Sequence, residues 1–173
     1  KAGVLFSVSD SIWDNPETDY TENVSSSILK EALEKEGFTV ESNLAGIPTA
    51  FSGTFGSGSP VIGILGEFDA LPGLSQKAGI AEKEPLEKGG NGHGCGHNLL
   101  GAGSLAAAIA VKEYLKEKKC PGTVVYFGCP AEEGGSAKAF LARDGVFSHV
   151  DIALSWHPNN MNAVWAFSSL ANV

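Results

Sequence analysis

Cysteine, basic side chains and long apolar runs are all scarce in this sequence, and each scarcity closes off a class of protein. Its 173 residues include three cysteines, Cys95, Cys120 and Cys129. So odd and sparse a set makes no disulfide framework and points to a reducing, cytoplasmic setting. Lys and Arg number 12 against 20 Asp and Glu, for a net charge of −8. A nucleic-acid surface needs clustered cations. Here the lysines from Lys77 to Lys119 alternate with Glu82, Glu84, Glu87, Glu113 and Glu117, as a solvated surface would. No apolar stretch nears the ~18–20 residues of a transmembrane helix, and residues 4–6 are too short for the core of a signal peptide. The first residue is Lys1 rather than Met, as in a trimmed start. Charged residues are only 18% while apolar residues are 43%, a balance that excludes intrinsic disorder. The 22 glycines follow no three-residue period, which excludes collagen.

What is present reads as alternating helices and strands. Val24, Ile28, Leu29 and Leu33 recur at helical spacing, which predicts a helix over 21–36 stopped by Gly37. Short strands are expected at 38–40 and 50–55, with turn chemistry over 53–60. That glycine-rich turn lacks the Gly-Lys-Ser/Thr ending of a phosphate loop and runs into a strand, not a helix. Residues 61–65 (VIGIL) and 123–128 (TVVYFG) are continuous apolar runs, as in strands buried on both faces. Between them lie a polar loop over 73–92 and a helix over 98–116, rich in small residues suited to packing on a sheet. A short helix at 136–142 and strands at 151–155 and 163–167 complete the pattern. There is no internal repeat. The order predicts one α/β domain, a three-layer αβα sandwich with a mostly parallel, mixed sheet.

Three polar clusters stand immediately after predicted strands: Glu67-Phe68-Asp69, then Cys129-Pro130-Ala131-Glu132-Glu133, then Trp156-His157-Pro158. In open α/β sheets the binding crevice lies beyond the carboxyl ends of the strands, so all three converge on one place. A fourth cluster, residues 92–97 (GHGCGH), leads into the long helix and faces the same crevice. Cys95 and His97, two apart in an expected extended segment, can point to one side. With Glu133 and His157 they make a mixed thiolate, imidazole and carboxylate set, the ligand vocabulary of zinc and its neighbours. Paired Cys-x-x-Cys spacing is absent, so the set suits an open catalytic site rather than a structural zinc knot. In an extended chain Glu132 and Glu133 would point apart, one carboxylate toward metal and the other toward substrate as a general base.

Each residue also has a bland reading. A Glu-Glu pair alone is most often solvated surface, a lone His157 a satisfied structural histidine, and Cys129 a small buried side chain. Cys95 between glycines resists that treatment, and His93 stays unassigned. A cysteine nucleophile, Cys95 or Cys129 with a histidine base, is an open alternative, though it leaves Glu132, Glu133 and Asp69 without work.

On these residues the chain resembles the M20 metallopeptidase family in its amidohydrolase branch. The matching pieces are residues 66–74 (GEFDALPGL), 92–101 (GHGCGHNLLG), 129–135 (CPAEEGG) and 155–158 (SWHP). The resemblance implies that Cys95, His97, Glu133 and His157 bind a two-metal centre of zinc or manganese. It makes Glu132 the general base toward a metal-bound water, with Asp69 orienting a ligand from behind. Many members carry His two residues before that Asp; here Glu67 stands there, and the loop bearing Cys95 is taken as the substitute. The implied reaction is hydrolysis of the amide of an N-acyl or N-aroyl amino acid, such as p-aminobenzoyl-glutamate. A dipeptidase of the same family and a non-catalytic binding module that keeps the fold are the alternatives. Residues 1–173 would be the N-terminal part of the catalytic domain. A lid and dimerisation domain and a C-terminal catalytic segment would lie elsewhere, and a homodimer or hetero-oligomer would form through that lid.

Overall fold

Val4, Val8 and Ile12 recur every fourth residue, and that spacing winds helix α1 (Ala2–Trp13), whose Val8 and Ile12 are buried. This helix is not among the elements expected from the sequence. A computed structural model describes residues 2–164. Helix α2 (Asn23–Lys35) buries Leu29, Ala32 and Leu33, and its open N-terminus is satisfied from outside. Glu17 accepts the backbone N–H groups of Val24 and Ser25, both at 2.9 Å. Strand β1 (Thr39–Ser42) follows, then a single 3-10 turn (Leu44–Gly46) and β2 (Phe51–Ser57). β2 runs two residues beyond its expected end, into the glycine-rich turn, because its whole length pairs with β4 (Gly122–Cys129). Strand β3 (Val61–Glu67), helix α3 (His97–Lys118), helix α4 (Ala137–Arg143) and strand β5 (Ile152–Leu154) complete the order. Of the strand expected at 163–167, residues 165–167 lie outside the described residues.

The five strands form one mixed sheet in the order β1-β2-β4-β3-β5. β1–β2 and β2–β4 are antiparallel, whereas β4–β3 and β3–β5 are parallel. Side chains alternate along β4. Val124 and Tyr126 enter a core with Leu29, Leu33, Leu105, Ile109 and the buried face of α1, whereas Val125, Phe127 and Cys129 enter a second core with Leu44 and Leu141. Helices α1, α2 and α3 therefore cover one face, and α4 with the 3-10 turn covers the other. This is the three-layer αβα architecture expected from the sequence. Truncating one of the fully buried leucines, such as Leu105, to Ala costs about 2–5 kcal/mol in such a core.

From β3 the chain crosses through α3 to β4 on one side, and from β4 through α4 to β5 on the other. The carboxyl ends of these three parallel strands consequently open on one edge of the sheet. A crevice forms where the strand order reverses.

Candidate metal centre

His97 stands at the middle of this edge, as the first residue of α3. Gly96 precedes it in the left-handed region, φ 82°, and Gly94–Cys95 turn. The expected extended path through Cys95 and His97 is therefore corrected: a tight turn into a helix N-terminus brings the two side chains together. The ligand atoms of Cys95, His97 and His157 all lie within 4.8 Å of one another.

Asp69, just past β3, fixes His97 from behind. Its Oδ1 accepts from His97 Nδ1 at 2.8 Å, and its Oδ2 accepts from the Glu133 backbone N–H at 2.9 Å. With Nδ1 carrying the proton, His97 turns Nε2 toward the crevice with its lone pair free. That Nε2 is buried and makes no hydrogen bond among the described residues. Around it stand Glu67 Oε2 at 3.2 Å, Glu133 Oε1 at 3.9 Å and Glu132 Oε2 at 4.0 Å. Glu133 Oε1 is likewise buried without a hydrogen-bond partner there. Burial alone would hold His97 neutral, yet the Asp69 hydrogen bond and the charges of Asp69, Glu67 and Glu133 raise its pKa.

His157 shows the same logic on the other side. Its Nδ1 donates to the Pro158 carbonyl at 2.9 Å, which leaves Nε2 as an acceptor 3.1 Å from the Cys95 sulfur. Cys95 is the donor of that contact, since burial and the neighbouring Glu133, Glu132 and Glu67 push its thiol up to about 12. The His157 loop is anchored by Trp156, whose Nε1–H reaches Ser104 Oγ on α3 at 3.2 Å. Ser104 in turn donates to the Leu65 carbonyl at 2.7 Å. Gly103 leaves room for the indole, because a Cβ there would lie 2.5 Å from Trp156 Cζ2.

Glu132 and Glu133 depart from the extended arrangement expected of them. Residues 132–135 form a turn closed by Gly135 N–H to the Ala131 carbonyl at 2.9 Å, and both carboxylates approach His97. Glu132 is the more exposed, at 39% of its side chain against 21% for Glu133. Burial, then the charge of Glu67, raises the Glu132 pKa, while Lys138 and His97 oppose the shift.

The structure thus brings Cys95, His97, Glu133, His157, Glu132 and Asp69 to one place. It adds Lys138, which sequence reasoning did not place there, and gives contacts to Glu67, whose strand-end cluster pointed to the crevice without a role for it. Glu67, the last residue of β3, presents a carboxylate to His97, and Lys138 of α4 pairs with Glu67. Glu67, His97 and Glu132 form a second group whose ligand atoms lie within 4.8 Å of one another. The alternation Glu67-Phe68-Asp69 at a strand end carried the signal for Glu67; nothing local marks Lys138. Cys129 is fully buried, with a thiol pushed by burial to about 12, and serves the core. Burial opposes the thiolate at both cysteines, as do the carboxylates around Cys95, and neither setting favours a cysteine nucleophile. His93 is buried and donates from Nε2 to the Ile12 carbonyl at 3.0 Å, a loop-holding contact.

The donor set fits a divalent cation. Two buried, unpartnered ligand atoms, His97 Nε2 and Glu133 Oε1, face each other across 3.9 Å, and the second imidazole, His157, meets the Cys95 sulfur through its Nε2 beside them. Several carboxylates crowd that space, with Lys138 paired to one of them.

Known proteins carry related sequences and the same fold. The chain is 53% identical to a subunit of p-aminobenzoyl-glutamate hydrolase from Escherichia coli over 166 residues, covering 96% of this chain and 34% of that protein. It is 32% identical to the human Xaa-Arg dipeptidase, covering 93% of this chain and 37% of the relative. It therefore spans about a third of the length of the curated relatives it matches. A solved dinuclear metal-binding peptidase of the M20 family from Bacillus subtilis has the same fold, with a TM-score of 0.74 at 21% identity over 92% of this chain and 44% of that one. Residues 63–167, which carry most of β3, all of α3 and β4, and every side chain gathered at the crevice, match the model of peptidase family M20/M25/M40, and the chain belongs to that family.

Proposed function

We propose that the protein carrying this chain is a metal-dependent hydrolase that cleaves the amide of an N-acyl or N-aroyl amino acid, p-aminobenzoyl-glutamate being the first candidate. The observation that carries the reading is the pair of buried, unpartnered atoms, His97 Nε2 and Glu133 Oε1, beside the more exposed Glu132. The substrate assignment draws on the Escherichia coli relative, at 53% identity. A dipeptide substrate is the second reading, favoured by the likeness to the human dipeptidase.

In this reading Cys95, His97, Glu133 and His157 hold two divalent ions, zinc or manganese. The bound metal supplies Lewis acidity toward the scissile carbonyl and lowers the pKa of water. Asp69 keeps His97 in the tautomer with Nδ1–H and, through the Glu133 N–H, fixes the loop that bears the base. Glu132, on the open side of the crevice, takes a proton from the attacking water at its carboxylate and passes it to the leaving amine. Burial and the Glu67 charge, by raising its pKa, bring Glu132 closer to the working range of such a base. A cytoplasmic setting and an oligomeric holoenzyme accompany the proposal; the relative's being one subunit of an enzyme supports the second.

The test is substitution in the full-length protein. Glu132→Ala is expected to lower turnover of p-aminobenzoyl-glutamate at least a hundredfold while metal content by elemental analysis persists. Glu133→Ala and His157→Ala should instead reduce bound metal. Near-normal turnover in the first variant would exclude Glu132 as the base, and unchanged metal stoichiometry in the others would exclude them as ligands. A panel of N-acyl amino acids and dipeptides assayed alongside separates the two substrate readings, and a protein that binds metal but hydrolyses none of them is a binding module.

A further inference from the structure

The turn that carries Glu132 and Glu133 closes on one hydrogen bond of its own, Gly135 N–H to the Ala131 carbonyl, and its remaining ties, apart from Asp69 on the Glu133 N–H, come from one distant segment. Ala131, the residue before them, sits in the left-handed region at φ 51°, and Ser136, just beyond, at φ 53°. Neither is a glycine, so each conformation is strained and must be imposed by its surroundings. The surroundings come from far away in the sequence. Glu22 is fully buried, and its Oε1 accepts the Ala131 backbone N–H at 2.9 Å and the Tyr20 N–H at 3.1 Å. The Tyr20 hydroxyl donates to the Gly135 carbonyl. Tyr20 and Asp19 are themselves left-handed, at φ 67° and 45°. A Cβ on Gly134 would overlap the Asp19 carboxylate and one on Gly135 the Tyr20 ring, so the two glycines are what let the segments close on each other. At its other end the same segment is tied to the chain just past β3, where the Glu17 carbonyl accepts the Ala70 N–H at 2.8 Å, next to Asp69.

We propose that residues 17–22 are a clamp across the carboxyl ends of β3 and β4, with Glu22 and Tyr20 as positioning residues that set the direction of Glu132 and Glu133. The proposal rests on the hydrolase reading above for its catalytic consequence and on geometry alone for the clamp. Both residues act through the backbone of 131–135, by hydrogen bonds to Ala131 and Gly135. A base must meet its proton within a few tenths of an ångström, and a displacement of about 1 Å can cost on the order of a hundredfold in rate. Releasing Ala131 from its imposed conformation turns the next two residues together.

Hydrogen–deuterium exchange and steady-state kinetics on the full-length, metal-loaded protein test this. Glu22→Ala is expected to speed exchange of the amides over 131–135 at least tenfold while exchange within β4 stays unchanged. It should lower kcat for p-aminobenzoyl-glutamate at least tenfold with KM within threefold. Glu22→Gln, which keeps an acceptor oxygen, should restore both to within threefold of the natural protein. Tyr20→Phe removes a single hydroxyl from a half-buried ring and should shift both readouts in the same direction by a smaller factor. If Glu22→Ala does not fold, Tyr20→Phe carries the test. Unchanged exchange over 131–135 overturns the clamp. Faster exchange there with kcat within threefold of the natural protein overturns the positioning role. Should the natural protein fail to hydrolyse any amide, the hydrolase reading falls alone. Exchange then still decides the clamp, and a tenfold weaker metal affinity in the same variants decides its effect on the site.

Discussion

Two histidines reach the crevice by one device: each spends Nδ1–H on a fixed acceptor and turns Nε2 outward. For His97 the acceptor is the Asp69 carboxylate and for His157 the Pro158 carbonyl. The difference has a consequence, because a charged acceptor strengthens the basicity of the opposite nitrogen more than a neutral one does. Asp69 also takes the Glu133 N–H, so a single carboxylate sets both a ring and a loop. Glu22 is a second buried carboxylate with two donors, both of them backbone N–H groups, and there burial wins: desolvation raises its pKa above 4.5 despite the N–H groups of Tyr20 and Ala131. The folded protein then holds that proton to a higher pH than the unfolded chain does. Its stabilising contribution is full below about pH 4.5 and is lost as pH rises through the folded value. Glu22→Gln removes this titration. The stability of the variant relative to the natural protein should therefore grow as pH rises from about 4.5 and then level off. Urea midpoints measured from pH 4 to 8 check it; a difference independent of pH would show that Glu22 is not shifted. Tyr20, which touches the group, has a hydroxyl pushed upward by burial and by Glu22 itself, so it stays protonated throughout that range.

At the scale of elements, α3 positions both of the histidines proposed as ligands. Its N-terminus starts with His97, and its second turn receives Trp156, which carries the His157 loop onto the helix through Ser104. Gly103 is the position on which that docking depends. Gly103→Ala would place a Cβ 2.5 Å from the Trp156 ring, too close for the indole to stay. The expected result is a metal affinity lower by about 10–100-fold, the range found when groups behind a ligand are removed. Competition with a chelator of known affinity measures it. Melting of the sheet should change far less, since Trp156 lies outside both buried cores. An affinity within twofold of the natural protein would mean that His157 keeps its place without the indole.

The molecule as a whole concentrates negative charge at one edge of its sheet. Glu67, Asp69, Glu132 and Glu133 surround His97, and Lys138 pairs with Glu67. Such crowding opposes folding unless a cation occupies the centre. Ligand binding to the folded state alone adds RT ln(1 + [L]/Kd), about 4 kcal/mol when the metal is at a thousand times its Kd. Chelation should accordingly lower the unfolding midpoint, and zinc or manganese should restore it while magnesium, which prefers oxygen ligands, does so poorly. Thermal melts with and without chelator decide it. Identical melts would remove the metal centre from the account of this edge.

The sequence by itself determined which strands are buried, because uninterrupted apolar runs such as 61–65 and 123–128 leave no polar face to expose. It also determined the order of elements from α2 to β5 and therefore the layered fold. The polar clusters at the strand ends were legible for the same reason: polar residues that follow a buried run at its carboxyl end have only the crevice to face. What it did not determine are paths that distant partners impose. Turns replace the extended course expected at 94–97 and 131–135 because Gly96 opens a helix and because Glu22 captures Ala131 across 109 residues of sequence. Helix α1 was not legible although Val4, Val8 and Ile12 mark it, since its pattern is short and it packs mainly on α2 and α3. Lys138 and Glu67 meet across 71 residues, a pairing without any local pattern. Periodicity and polarity are local properties and can be read along a chain. A strained backbone held by a remote carboxylate is a balance of long-range contacts, and only the tertiary structure decides it.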